Sequence, residues 1–104
     1  MSFISNVTPS YDELSSQETK VYTFDFTALI IAGDIVSLPT SKLTDLTTGI
    51  LYPKALSGSV SIMGNLVSQT IFKLIPNHKY RFEMYVTLNT GKILGAALEI
   101  FCPW

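Results

Sequence analysis

The feature that most constrains the fold is a strict alternation of apolar and polar residues over Lys79–Leu88. Five apolar residues share one face of this segment: Tyr80, Phe82, Met84, Val86 and Leu88. A period of two predicts a β-strand that is buried on one face only. A turn at residues 89–91 leads into a second alternating strand at residues 92–101, where the small residues 95–97 predict close packing by another group.

The same period recurs towards the N-terminus. Aromatic residues at positions 22, 24 and 26 predict one strand, and residues 35–38 predict another that Pro39 either ends or marks as an edge strand. Residues 59–63 and 66–74 predict a hairpin about the turn at Gly64 and Asn65. Leu66, Thr70, Phe72 and Leu74 would share one face of its second strand. Short strands at residues 42–46 and 50–52 are open alternatives.

Six or seven short strands separated by turns predict an all-β protein with a Greek-key β-sandwich. Leu74, Pro76 and Tyr80 have the spacing Leu-x-Pro-x-x-x-Tyr. This segment resembles the tyrosine corner of fibronectin type III domains, in which a tyrosine hydroxyl reaches a nearby backbone group. An ordinary proline turn is the alternative. We expect Pro76 and Tyr80 to form a structural corner of an immunoglobulin- or fibronectin-like sandwich.

The composition is unusually poor in charge for a small domain. The chain has 104 residues, which is the length of one domain, and 47% of them are hydrophobic. Only 14% are charged, against about 25% in ordinary soluble domains. Because a small domain has a large surface to cover, we expect other chains to cover part of its apolar surface.

Charge and cysteine content exclude several classes of protein. The net charge is −1 with no run of like charges, so a basic patch for nucleic acid is not predicted. No basic amphipathic helix and no membrane-length apolar run occur, so no membrane partner is expected. Cys102 is alone and cannot form an internal disulfide. The start of the chain lacks the features of a signal peptide, which favours a protein made and kept in a reducing cytosol or released by lysis.

The sequence offers no catalytic constellation, and we expect neither an enzyme nor a cofactor. His78 is the single histidine and lies in a predicted turn, where a solvent-exposed role is expected. One histidine and one cysteine cannot supply a tetrahedral zinc site. Asp25 is interpreted as a polar strand position and Asp34 as a turn residue, because the remaining oxygen ligands of a calcium site are missing.

Both ends of the chain carry apolar residues where chains are normally polar. We divide the chain into an N-terminal arm or extension at residues 1–19 and a β-sandwich domain at residues 20–104. Either the arm orders against a partner or it folds over its own domain. The predicted interface residues are Phe3, Ile4, Val7, Phe101 and Trp104. Trp104 fits a binding hot spot, or it folds back onto the sandwich; Cys102 is expected to be buried and unreactive.

A wider resemblance covers most of residues 20–101. Four features are similar to a family of small phage virion proteins: an aromatic-Asp-aromatic strand ending at Phe26, a short apolar stretch, Gly33-Asp34-Ile35-Val36 where the family has Gly-Asp-x-Ile, and a late hairpin. These are fibre-tail adaptor or head and tail accessory proteins with an immunoglobulin-like fold. The family's central insert is poorly matched at residues 38–56, which leaves the position in a virion open.

The resemblance implies a non-catalytic virion structural protein, made in the host cytoplasm, that acts through subunit packing. Its partners would be other virion proteins and further copies of itself in a homo-oligomer. A tail, fibre-adaptor or neck component is the first reading, and a capsid decoration protein is the alternative. A free-standing adhesion or carbohydrate-binding module is a third reading, which requires an exposed row of aromatic residues on one sheet.

Overall fold

The computed structural model describes the backbone of residues 2–5 and 10–104, and the side chains from Tyr11 onward. The described chain is all-β, and its strands form the two sheets of a sandwich. One sheet has four strands in the order β1-β3-β7-β6, and the other has five in the order β2-β9-β8-β4-β5. The strands are β1 (Ser2–Ser5), β2 (Ser10–Glu13), β3 (Lys20–Asp25), β4 (Val36–Asp45), β5 (Ile50–Leu51), β6 (Leu56–Met63), β7 (Leu66–Ile71), β8 (Lys79–Leu88) and β9 (Ile93–Phe101).

The late hairpin is confirmed as the centre of the five-stranded sheet. β8 and β9 pair antiparallel over almost their whole length, with Lys79 opposite Phe101 and Thr87 opposite Ile93. Each alternates between a buried and a solvent-facing side, as the sequence pattern predicts. The predicted close packing is also present, because a β-carbon added to Gly95 would lie 2.7 Å from the ring of Tyr85.

Aromatic side chains from both sheets form the centre of the core. Tyr22, Phe24 and Phe26 are fully buried, which confirms the predicted inward face of β3. Across the sandwich, the Phe82 ring lies 5.5 Å from the Phe24 ring and 6.2 Å from the Tyr22 ring, centroid to centroid. These separations are those of favourable edge-to-face and tilted aromatic pairs.

Of the two alternatives predicted for Pro39, the structure has the edge position and not the end of a strand. β4 continues to Asp45 through an irregularity in its pairing with β8 between Ser37 and Thr40. Leu38 takes a positive φ of 49° within this bulge. The outer neighbour β5 pairs only with the last two residues of β4. Pro39 therefore lies on a stretch of β4 that is a sheet edge, where a missing N–H costs no ladder hydrogen bond.

The strand predicted at residues 66–74 is present but shorter. β7 ends at Ile71, and the buried face is the one that carries Val67, Gln69 and Ile71. The hairpin turn at Gly64 and Asn65 is present as predicted, with Gly64 at a φ of 61°. A polar residue, Gln69, thus occupies the core side of the strand.

Gln69 seals one open side of the sandwich. Its Nε2 donates to the carbonyl oxygens of Ser57 and Gly58, each at 2.9 Å. Its Oε1 accepts a hydrogen bond of 3.2 Å from the Ser41 hydroxyl on β4. The pairing of β6 with β7 is irregular between Ser57 and Ser61. The side-chain amide of Gln69 therefore donates to carbonyl groups at an interruption of the strand pairing. One buried amide therefore links both sheets with its polar atoms satisfied.

The N-terminal segment contributes one edge strand to each sheet. β1 runs parallel to β3, and β2 runs parallel to β9. The Asp12 Oδ2 atom on β2 lies 2.7 Å from the Lys20 Nζ and accepts a bond of 2.8 Å from the Tyr22 hydroxyl. Burial and this bond raise the pKa of Tyr22 far above its ordinary value. The division of the chain at residue 19 stays a prediction.

Helical structure in the described chain is limited to two short 3₁₀ turns at Thr27–Leu29 and Pro53–Ala55. Within residues 2–5 and 10–104, no helix has the length and apolar character needed to span a bilayer.

Replacing Gln69 tests how much its side-chain hydrogen bonds contribute to stability. Gln69→Leu keeps the approximate volume but leaves the Ser57 and Gly58 carbonyls without their donor, so we expect the free energy of unfolding to fall by about 1–3 kcal/mol. Thr70→Val, on the neighbouring outward-facing position, is the control and should change it by less than about 0.5 kcal/mol. Urea denaturation measures both, and equal midpoints for the two variants would contradict the role of Gln69.

Candidate protein interaction surface

His78 is not the solvent-exposed turn residue that the sequence predicts. Its side chain is only 24% exposed, and its Nδ1 lies 2.7 Å from Oδ2 of the buried Asp45. The other oxygen of Asp45 accepts the backbone N–H groups of Thr47 and Thr48. Asp45 thus links the β4–β5 turn to the turn before β8. All three contacts of its carboxylate hold these two turns in place.

The two aspartates considered above as calcium ligands, Asp25 and Asp34, also accept hydrogen bonds from the backbone. Asp25 Oδ1 accepts the N–H of Thr27, and Asp34 Oδ2 accepts the N–H of Ile31. Among the described residues, no group of three or more histidine, cysteine or acidic side chains is placed to hold a metal ion. The interpretation of Asp34 as a turn residue agrees with this geometry.

The predicted corner lies between β7 and β8. Tyr80 is the second residue of β8, and its fully buried ring places the hydroxyl oxygen 2.8 Å from the N–H of Ile75, which donates to it. Pro76 is exposed and opens the turn, and Asn77 completes it with a positive φ of 66°. Burial raises the pKa of Tyr80 to about 12, although the bond from Ile75 acts in the opposite direction.

The corner also fixes the C-terminal segment. The Asn77 N–H donates to the Cys102 carbonyl at 2.7 Å, and the Cys102 N–H donates to the His78 carbonyl at 3.0 Å. The Ser16 N–H donates to the Trp104 carbonyl at 2.7 Å. Cys102 is fully buried, and this burial raises the pKa of its thiol. A buried thiol with a raised pKa is a poor nucleophile.

The structure places the predicted interface residues in different settings. Phe3 and Ile4 lie on β1 opposite Tyr22 and Thr23, and Val7 lies outside the described residues. Phe101 is half-buried at the end of β9, whereas the Trp104 ring is 70% exposed. The backbone of Trp104 is therefore held while its ring faces solvent.

A larger apolar surface lies at the opposite end of the sandwich, where three connections meet: β3 to β4, β6 to β7 and β8 to β9. We call this surface the apolar end. Its exposed residues are Leu29, Ile31, Ile35, Leu38, Ile62, Met63 and Ile93. Met63 and Ile31 are 79% and 77% exposed, which is unusual for large apolar side chains.

Hydrogen bonds hold the three connections together. The Phe26 N–H donates to the Asn65 carbonyl at 3.0 Å, which joins the first connection to the β6–β7 turn. The Asn89 side chain accepts from the Ile35 N–H and donates to the Gly33 carbonyl, each at 3.1 Å, which joins the first connection to the β8–β9 turn. Because the backbone is tied in this way, the apolar end is pre-organised for a partner.

Two open depressions lie between these connections. One, of about 330 Å³, is lined by residues that include Ile31 and Asn65, and the other, of about 380 Å³, by residues that include Ile35 and Ile62. Asp34 borders both. Such hollows among apolar side chains are where the anchoring residues of a protein partner fit. The apolar end is therefore the candidate surface for contact with another protein.

The apolar end was not predicted from the sequence. The predicted interface residues lie at the chain ends, and residues 28–32 were interpreted as a stretch between two strands. The signal was present, because an apolar run that is followed by Gly33 and Asp34 lies in a connection, where side chains are not sorted into a buried and an exposed face. Met63 and Ile93, which border the other two turns, carry the same signal.

Comparison with known proteins assigns no relative to the chain: no family model matches it, and no curated protein is significantly similar.

The corner hydroxyl should contribute measurably to stability. Tyr80→Phe leaves the Ile75 N–H without its acceptor, so we expect a loss of about 1–3 kcal/mol in the free energy of unfolding. Tyr85→Phe is the matched control, since the Tyr85 hydroxyl bonds the side chain of Glu83 on the exposed sheet face. Its removal should cost less than about 0.5 kcal/mol. Denaturant midpoints that shift equally for both variants would contradict the corner.

Proposed function

We propose that this protein is a non-catalytic structural subunit of a phage virion, a tail, fibre-adaptor or neck component that works by packing against other subunits. The apolar end carries the proposal: seven exposed apolar side chains on a hydrogen-bonded framework form a surface suited to a protein neighbour. The placement in a virion rests on the sequence resemblance described above. The protein would then be made in the host cytoplasm and end in the particle.

The strand order supports the immunoglobulin-like form of the fold. In immunoglobulin domains, strands A, B, E and D form one sheet and strands C, F and G the other. Here β1, β3, β7 and β6 have the neighbours of A, B, E and D, while β9, β8 and β4 have those of G, F and C. The parallel pairing of β1 with β3 departs from the antiparallel arrangement.

Two core positions support the same form. Tyr80 stands near the start of the strand equivalent to F, and its hydroxyl bonds the backbone five residues upstream, as in a tyrosine corner. Phe82 follows two residues later, where antibody domains have the second cysteine of their inter-sheet disulfide. Its ring packs on Tyr22 and Phe24 of β3, so aromatic contact takes the place of that bond.

A capsid decoration protein would use the same apolar surface, and it remains the alternative within this class. The adhesion or carbohydrate-binding reading receives less support. Exposed tyrosines are present on the outer face of the five-stranded sheet, but Tyr11 is on β2 and Tyr85 on β8, with β9 between them. Their hydroxyls bond Glu13 and Glu83, so they do not form the continuous platform that stacking on sugars requires.

Incorporation into particles tests the proposal. In a phage that encodes this chain, we expect a deletion of the gene to be complemented by wild type and by Glu99→Lys, a control on the charged sheet face. The double variant Ile31→Asp, Ile35→Asp should keep its β-sheet circular dichroism but be incorporated at least about tenfold less, because buried charge opposes docking. Mass spectrometry of purified particles measures this, and absence of the wild-type protein from particles would contradict a virion role.

The Trp104 ring gives a second prediction about contacts. Because the ring is exposed and the backbone is held by Ser16, Trp104→Ala should change the free energy of unfolding by less than about 0.5 kcal/mol. Because the Trp104 ring is a predicted contact residue, the same substitution should nevertheless reduce incorporation into particles several-fold. Gln17→Ala, on the nearby exposed loop, is the control. Unchanged incorporation of Trp104→Ala would remove the C-terminal ring from the predicted interface.

A further inference from the structure

We propose that the apolar end is a self-complementary surface, through which two copies of the chain bind end to end about a two-fold axis. In this dimer, Asp34 of each copy faces Lys92 of the other. The inference rests on the proposed function of subunit packing and specifies its partner as a second copy of this chain.

The charge of the apolar end favours a second copy over an unrelated partner. The charged residues at this end are Asp25, the last residue of β3, and Asp34 and Lys92 within the connections. Asp25 accepts the N–H and the hydroxyl of Thr27, so the charges available in the connections themselves are Asp34 and Lys92. They have opposite signs and lie on connections that Asn89 joins. In an isologous dimer, a contact between one residue of the first copy and a different residue of the second is repeated with the copies exchanged. An Asp34–Lys92 contact across the two-fold axis would therefore occur twice and form two attractive pairs.

Among the described residues, neither Asp34 nor Lys92 has a salt-bridge partner. The contacts at salt-bridge distance there join Lys20 to Asp12 and His78 to Asp45. One oxygen of Asp34 accepts the Ile31 N–H, which fixes the position of the carboxylate and leaves its other oxygen for a partner. Lys92 is exposed. A carboxylate held in place beside apolar side chains is a pre-organised acceptor for a lysine at the rim of an interface.

The shape of the molecule limits the strength of such a dimer. β8 has ten residues and spans about 33 Å, so the strands run along the 44 Å axis of the molecule rather than across its 26 × 23 Å section. An end-on contact is limited to this 26 × 23 Å section, which is small for a standard interface of ~800 Å² on each partner. The dimer should therefore be weak in isolation and effective where many copies are held together.

Complementary charge reversal tests whether Asp34 of one copy faces Lys92 of the other. Sedimentation velocity over a concentration series should show a monomer–dimer equilibrium for wild type. Asp34→Lys gives two positive charges at the end, and Lys92→Asp gives two negative charges, so each alone should raise the dissociation constant at least about tenfold. Mixing the two variants should restore dimers, because each chain then supplies the charges that the other lacks. The double variant Asp34→Lys, Lys92→Asp should self-associate like wild type.

Two controls separate charge from folding. Asp34→Asn keeps an oxygen for the Ile31 N–H and removes the charge, so it should retain the wild-type melting temperature while weakening the dimer. Lys54→Glu reverses an exposed charge on the 3₁₀ turn before β6 and should leave the dissociation constant unchanged. If Asp34→Lys fails to fold, Lys92→Asp and Asp34→Asn still carry the comparison, and either one dimerising as wild type does would overturn the proposal.

The remaining outcomes distinguish this inference from the proposed function. A wild-type protein that is monomeric at every concentration overturns the two-fold contact. If Ile31→Asp, Ile35→Asp still blocks incorporation into particles, the apolar end binds a different virion protein, and the structural role stands. If Asp34→Lys or Lys92→Asp alone still dimerises as wild type does, the two copies bind through another surface. The same conclusion follows if mixing the two variants does not restore the dimer. If neither dimerisation nor incorporation depends on the apolar end, both proposals fail.

Discussion

Aromatic packing across the sandwich is the interaction on which the rest of the structure depends. Phe82 from the five-stranded sheet contacts Tyr22 and Phe24 from the four-stranded sheet, and all three rings are fully buried. Burying one such side chain contributes about 1.5–3 kcal/mol. No internal disulfide is possible with a single cysteine, so these rings fix the relative position of the sheets, and thereby the ends of the strands that the connections must join.

The two sides of the sandwich are closed by buried polar groups rather than by more apolar surface. Gln69 links β7 to the β6 backbone and to Ser41 on β4. On the other side, Asp12 on β2 receives both Lys20 and Tyr22 from β3. A fully bonded polar group specifies one geometry, because any shift of the strands would leave a buried donor or acceptor unpaired. These links therefore set strand register as well as stability.

The fold was more predictable from the sequence than the surface was. Alternation of side chains reports directly on which face of a strand is buried, so β3, β8 and β9 were evident. The buried role of Gln69 was not predictable, because a hydrogen-bonded buried amide cannot be distinguished from an exposed one without its partners. The prediction that His78 is exposed was wrong for a similar reason, since its partner Asp45 is remote in sequence. In the connections no periodicity exists, and only the assembled loops show that Ile31, Met63 and Ile93 share one end.

The distribution of charge is consistent with the proposed contact. On the outer face of the five-stranded sheet, Lys42 lies opposite Glu83 and Arg81 lies opposite Glu99. Cross-strand pairs of opposite charge are stable in water and would lose hydration beneath a neighbour. The apolar end has the reverse preference, because burial of its exposed apolar side chains is favourable. The contact proposed at that end would leave the charged face in solvent, so one arrangement would suit both surfaces.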